Sequence, residues 1–260
     1  MATRTFLGNL RLLLLLAVLG FVALGAWLDR ARARDWDSSL RVTVYPLAAS
    51  GSDTAAFVQG IDEAAYQDIE RFLAAEARQF GVALEDPVRI RVSRHRAGLP
   101  PAGPDDPGML GLAAWSLRMR YWAWRVQADD PLPPPDVQVF ALYHDFREHQ
   151  ALPDSLGLSK GLMVVAQLFG SKSAAGSNNV VLAHELLHTL GATDKYDRRS
   201  GQPSVPQGLG DPLAQPLYPQ LHGEIMAGRI ALGPGEAVIP DRLDQMRIGE
   251  LTASEIGWLE

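Results

Sequence analysis

Apolar and polar positions alternate along Leu40–Pro46 (LRVTVYP) and again along Val88–Val92 (VRIRV), the period of a strand with one buried face. Between them Gly51–Thr54 is polar and reads as a turn. Ile61–Phe80 then places Ile61, Ala65, Ile69, Phe72, Leu73, Ala77 and Phe80 at helical spacing, and Gly81 is positioned to end that helix. Proline and glycine crowd Ala97–Gly108, a loop. Met109–Ala128 returns to helical spacing: Leu110, Ala114, Leu117, Tyr121 and Trp124 form a stripe expected to face the core, with Arg118, Arg120 and Arg125 on the wet face. Pro131–Pro135 breaks the chain before a strand at Val137–Tyr143, and the apolar run Gly161–Phe169 (GLMVVAQLF) reads as a buried strand. Strands interleaved with helices predict one α+β domain over residues 36–260.

Residues 1–35 follow a different pattern. Leu12–Leu28 (LLLLLAVLGFVALGAWL) carries no charge on any face, which predicts a transmembrane helix that anchors the chain in a single pass. The run is longer than a signal-peptide core, and Ala23-Leu24-Gly25 is a poor cleavage site buried inside it. Arg4 and Arg11 precede the run while Arg30, Arg32, Arg34 and Arg41 follow it, a balance that leans toward a cytoplasmic body. The usual purpose of a lone N-terminal anchor favours the opposite, a body on the periplasmic or extracellular side, and that is the orientation expected here.

Charge and composition narrow the partners. Of 260 residues, 24 are basic and 30 acidic. Residues 1–34 hold five arginines against one aspartate, which leaves the remainder at about −10 and argues against a nucleic-acid partner. Cysteine is absent, so neither disulfides nor thiolate metal ligands are available. Any metal is held by nitrogen and oxygen.

Ser177–Asp194 (SNNVVLAHELLHTLGATD) supplies such donors. Ser177, Asn178 or Asn179 can cap a helix, leucines and valines give it an apolar body, and Gly191 permits the left-handed turn that ends it. Within it stands His184-Glu185-Leu186-Leu187-His188. Residues four apart lie one turn above each other, so both imidazoles can reach one cation, and Glu185 is placed to touch a water on it rather than the ion. That is the division of labour zinc hydrolysis needs: a cation that acidifies water and a carboxylate that takes the proton. A third ligand has to come from beyond the helix. Gly191 reverses the chain, and Asp194, three residues on, is brought back toward the metal; Asp197, His222 and Glu224 are its rivals.

His184-Glu185-x-x-His188-x-x-Gly191-x-x-Asp194 resembles the signature of the metzincins, zinc endopeptidases in which a histidine or, in a minority, an aspartate ends the motif. The similarity covers about residues 177–229. It implies a zincin-like mixed sheet with an active-site helix, Zn2+ held by His184, His188 and Asp194, Glu185 as catalytic base, and a protein or peptide substrate. It also implies that Met226, in Gly223–Ala227, lies beneath the metal without binding it. Gly228 stands where the family carries a tyrosine, so an oxyanion donor would be Tyr196, Tyr218 or a backbone amide. A downstream glutamate ligand would be the gluzincin arrangement instead. Two other readings are a non-enzymatic envelope binding protein and a zinc amidase acting on cell-wall peptide. His144 and His149 in HDFREH read as a solvated segment, and Thr252–Glu255 as a capping box that opens a final helix.

Overall fold

A computed structural model describes residues 32–259, apart from 50–51, 96, 105–107, 149–151, 153–154 and 159–161. Five strands form the main sheet: β1 (Leu40–Ala48), β2 (Val88–Val92), β3 (Val137–His144), β4 (Leu156–Leu158) and β5 (Met163–Phe169), in the order β2-β1-β3-β5-β4. The first four strands across the sheet run parallel, and β4 pairs antiparallel with β5 at the edge. Parallel strands need crossovers. α1 (Ser52–Gln59) and α2 (Gln67–Gln79) connect β1 to β2, and α3 (Met109–Ala128) connects β2 to β3.

Both faces of the sheet are covered, as parallel sheets require. Alternate residues divide between them. Val42, Val44, Val139, Ala141, Val164 and Ala166 enter one core with α2 and α4 (Ala175–Leu190), whereas Tyr45, Leu47, Phe140, Leu142 and Val165 meet α3 on the other side. The chain after α4 forms short elements, β6 (Gly223–Glu224), β7 (Ile230–Gly233), β8 (Glu236–Val238), β9 (Met246–Arg247) and α5 (Glu250–Glu255), and adds Ile225, Met226, Met246, Ile248, Ala253 and Ile256 to the first core. Trp36 closes that end, donating from Nε1 to the Ile256 carbonyl at 2.8 Å and meeting Trp258 edge to face.

The α+β class is observed, but the transmembrane part of the expectation is corrected. No helix among the described residues is long and apolar enough to cross a membrane; the longest of them, α3, carries Arg118, Arg120 and Arg125. Residues 12–28 lie outside the described residues, so nothing here supports a single-pass anchor or the orientation drawn from it.

Other local expectations also shift. Of the turn expected at Gly51–Thr54, Ser52–Thr54 instead open helix α1, and the helix expected from Ile61 begins as a 3-10 turn at Glu63–Tyr66 before α2. Gly81 ends α2 as expected, with φ +77° and the Val82 amide donating to Ala77 at 3.1 Å. The stripe of α3 chosen for the core faces outward: Leu117, Tyr121 and Trp124 are exposed, while Met119, Ala123 and Val126 are buried. Apolar residues occupy two sides of this helix, and the sheet takes the side where the small Ala123 permits close approach and Trp122 packs on Phe140 at 4.4 Å.

Candidate metal centre

α4 carries the histidines. It opens two residues before Ser177, and none of the three expected caps acts as one. Asn178 instead binds the end of β5, accepting from the Phe169 amide at 3.1 Å and donating to its carbonyl at 2.9 Å; Asn179 donates to the Ala65 carbonyl at 2.9 Å. Two polar side chains therefore fix the helix against β5 and the 3-10 turn that precedes α2. Val180, Leu182, Ala183, Leu186, Leu187 and Leu190 bury the rest of its inner surface. At its end Gly191 adopts φ +108°, and the Ala192 amide donates to Leu187 at 3.1 Å, so the chain turns back toward the histidines.

Three donors meet there. Nε2 of His188 lies 3.0 Å and Nε2 of His184 3.5 Å from Oδ1 of Asp194, and among the described residues these three side chains form the one group of metal-ligating type. The imidazole centroids stand 4.6 Å apart with their planes nearly perpendicular. Each ring is oriented from behind. Nδ1 of His184 contacts the Ile225 carbonyl at 2.9 Å and Nδ1 of His188 the Ala192 carbonyl at 2.8 Å. A carbonyl only accepts, so both Nδ1 atoms carry the hydrogen and both Nε2 atoms turn toward Asp194.

Chemistry then tests whether a cation fits. Oδ1 of Asp194 is buried and has no hydrogen-bond partner, although two ring nitrogens lie next to it. A carboxylate oxygen and two imidazole nitrogens converging without hydrogen bonds make an acceptor cluster, which a cation satisfies. The pKa shifts of Asp194 and His188 favour their ligating forms. The His184 contact draws the Asp194 carboxyl well below the usual carboxylate range, against the effect of burial. Burial, reinforced by the neighbouring His184, lowers His188 and favours its neutral, ligating form. His184 is raised: burial opposes its charge, but Asp194 and the Ile225 carbonyl outweigh it, so the cluster favours a positive charge. Arg198 lies 3.0 Å from the second oxygen of Asp194 and holds the carboxylate in place.

Glu185, 7% exposed, lines a cleft of about 500 Å³ together with His184, Tyr196, Val181, Ala227 and Arg229. Met226 is fully buried in a turn set by Glu224, whose carboxylate accepts from the amides of Met226 at 2.6 Å, Ala227 at 3.1 Å and Gly249 at 3.3 Å and from the Thr252 hydroxyl at 2.6 Å. Burial pushes the Glu224 carboxyl above its ordinary value despite these bonds. The same turn presents the Ile225 carbonyl to His184.

The rivals for third ligand are elsewhere. Asp197 accepts from Arg199 and Ser200 in an exposed turn, His222 contacts Arg247 at 3.0 Å, and Glu224 is committed to the turn. Of the two tyrosines, Tyr196 lines the cleft and Tyr218 does not. His144 meets Gln167 at 2.6 Å, and His149 lies outside the described residues. The expected capping box at Thr252–Glu255 is not one: Thr252 donates to Glu224, and Glu255 accepts from Thr193 and Lys195, on either side of Asp194. The contacts of the Ile225 carbonyl and of Glu255 escaped sequence reasoning, because each is made through the tertiary fold and leaves no local signal. No family model, curated protein or solved structure matches the chain.

Proposed function

We propose that the chain is a zinc-dependent peptidase that hydrolyses peptide bonds. The observation that carries this reading is the convergence of His184 Nε2, His188 Nε2 and Asp194 Oδ1 at the edge of a cleft that Glu185 also lines. Two nitrogens and one oxygen suit zinc, and three protein ligands are the number a catalytic zinc takes. When bound, zinc would supply a Lewis acid for the scissile carbonyl and bring the pKa of a water toward about 7.

The chain's own groups do the remaining work. Glu185 takes a proton from the water as its oxygen bonds to the carbonyl carbon, and delivers that proton to the amine as the carbon–nitrogen bond breaks. Tyr196, the phenol in the cleft, takes the part of donor to the developing oxyanion. Val180, Val181 and Phe169 give the cleft apolar surface on which a peptide can lie.

Glu185→Gln tests the reading. The variant should retain its metal and lose hydrolysis of casein or a peptide library; activity surviving the change refutes Glu185 as the base. Metal content without turnover in the wild-type chain would favour a binding protein instead. Purified peptidoglycan assayed in parallel separates a peptidase from a cell-wall amidase.

A further inference from the structure

We infer that Arg229 is a carboxylate-binding subsite, and that the cleft selects peptides carrying a carboxylate close to the bond cleaved. Arg229 lines the same cleft as His184, Glu185 and Tyr196. It is partly buried, and its guanidinium makes no hydrogen bond or ion pair with any described residue. A partly desolvated cation is costly to leave unpaired, and guanidinium presents a planar fork matched to a carboxylate. Among the described residues that line the cleft, Arg229 is the only permanently cationic one.

The backbone that carries the side chain is fixed. Gly228, at φ +64°, ends the turn that orients His184, and Arg229 follows it directly, its backbone bridged to Glu224. The guanidinium lies beside Gly201, where an added Cβ would meet Nε and Nη2 of Arg229 at 3.7 Å. One turn therefore sets both the ring orientation of a metal ligand and the position of the cation. The remaining cleft wall is largely apolar, with Phe169, Val181, Ile239 and Pro240, so the guanidinium is the feature that discriminates between ligands.

The inference rests on the peptidase reading for its substrate and on Arg229 for the carboxylate. That carboxylate has two sources, an acidic side chain or a free C-terminus. Two sets of fluorescein-labelled peptides separate them. In the first the C-terminus is amidated and Glu or Gln is placed at each position in turn. In the second every side chain is neutral and the C-terminus is either a carboxylate or an amide. On the zinc-loaded full chain, kcat/KM is measured for wild type, Arg229→Met and Arg229→Lys. Anisotropy is measured on Glu185→Gln with and without Arg229→Met, which reads binding without turnover.

The carboxylate member of one set should be favoured roughly 10- to 100-fold, with the preference falling to about two-fold or less in Arg229→Met and partly restored in Arg229→Lys. The set that shows it identifies the source. The net charge of −6 disfavours acidic peptides in general, so such a preference must be local. Met preserves the apolar stem and the backbone pairing, which keeps the fold intact. Hydrolysis without a carboxylate preference overturns the subsite and leaves the peptidase reading standing. An Arg229-dependent binding preference in the absence of any hydrolysis does the reverse. A preference that survives Arg229→Met, or no binding of any peptide, overturns the subsite.

Discussion

Glu255 holds Lys195: its Oε2 lies 2.7 Å from Nζ, across sixty residues of chain. The same carboxylate accepts from the Thr193 amide at 2.9 Å and the Thr193 hydroxyl at 2.6 Å, so one acid near the end of the chain grips both neighbours of Asp194. Lys195 is 4% exposed, and its amide donates to the Met226 carbonyl at 2.9 Å, which joins the Asp194 loop to the turn behind His184. Asp194 is thus positioned by packing at a distance.

Glu255→Ala should therefore weaken zinc binding roughly 10-fold, read by competition with a chromophoric chelator. It should also cost about 3 kcal/mol of stability, because Lys195 is left buried without its counter-charge. Burial alone would raise the Glu255 carboxyl, but the Lys195 and Thr193 hydrogen bonds outweigh it and place it below the ordinary value of 4.5. The clamp accordingly contributes in full above that value and is lost as the pH falls through the lower folded-state pKa. Undiminished affinity in Glu255→Ala would show that the Asp194 loop holds itself.

Glu76 gives a pH dependence of the opposite sign. It is buried, accepting from the Ile248 amide at 2.7 Å and from Gln79 at 3.0 Å, and burial raises its carboxyl above the ordinary 4.5 despite those bonds and nearby Arg247. The folded state then binds this proton more tightly than the unfolded chain. The contribution of Glu76 is complete below 4.5 and declines as the pH rises through its folded pKa. In urea titrations, Glu76→Gln should gain stability relative to wild type between acidic and neutral pH. A difference that stays constant across that range would contradict the sign.

Gly191→Ala places a Cβ on a residue at φ +108°. The strain should cost about 1–2 kcal/mol, lowering the melting temperature by roughly 2–8 °C. Because this turn returns Asp194 to the histidines, zinc affinity should fall with it. Melting curves recorded with and without zinc separate the two effects.

Much of the architecture was legible where periodicity is local. β1, β2, β3, β5 and α2 follow spacings that a run of seven or more residues displays by itself, or in β2 a strict alternation. The α3 face was not legible, because Leu117, Tyr121 and Trp124 on one side compete with Met119, Ala123 and Val126 on the other, and only the sheet chooses. β6 to β9 are too short for any period and exist through pairing across the chain. The site divides in the same way. His184, Glu185, His188 and Gly191 lie on one helix and its cap, and Asp194 follows from that cap. Thr252 and Glu255 sit at the spacing of a helix cap, yet their partners lie 28 and 62 residues away, and spacing carries no record of them.

Met226 is completely buried in the core that α4 shares with the turn. Met226→Ala should cost about 2–5 kcal/mol through the cavity it leaves, whereas Met226→Leu should cost less than about 1.5 kcal/mol. If the methionine also supports the imidazoles from below, the alanine variant loses zinc affinity beyond its loss of stability, as a chelator titration at low temperature would reveal.

Metal stoichiometry tests the central claim most directly. After dialysis against buffered zinc, elemental analysis of the wild-type chain should find one zinc per protein, and His188→Ala and Asp194→Ala should each retain much less than one while remaining folded by circular dichroism. A wild-type chain that takes up no zinc, or a folded Asp194→Ala that holds a full equivalent as tightly as the parent, would contradict the assignment of these three side chains as its ligands.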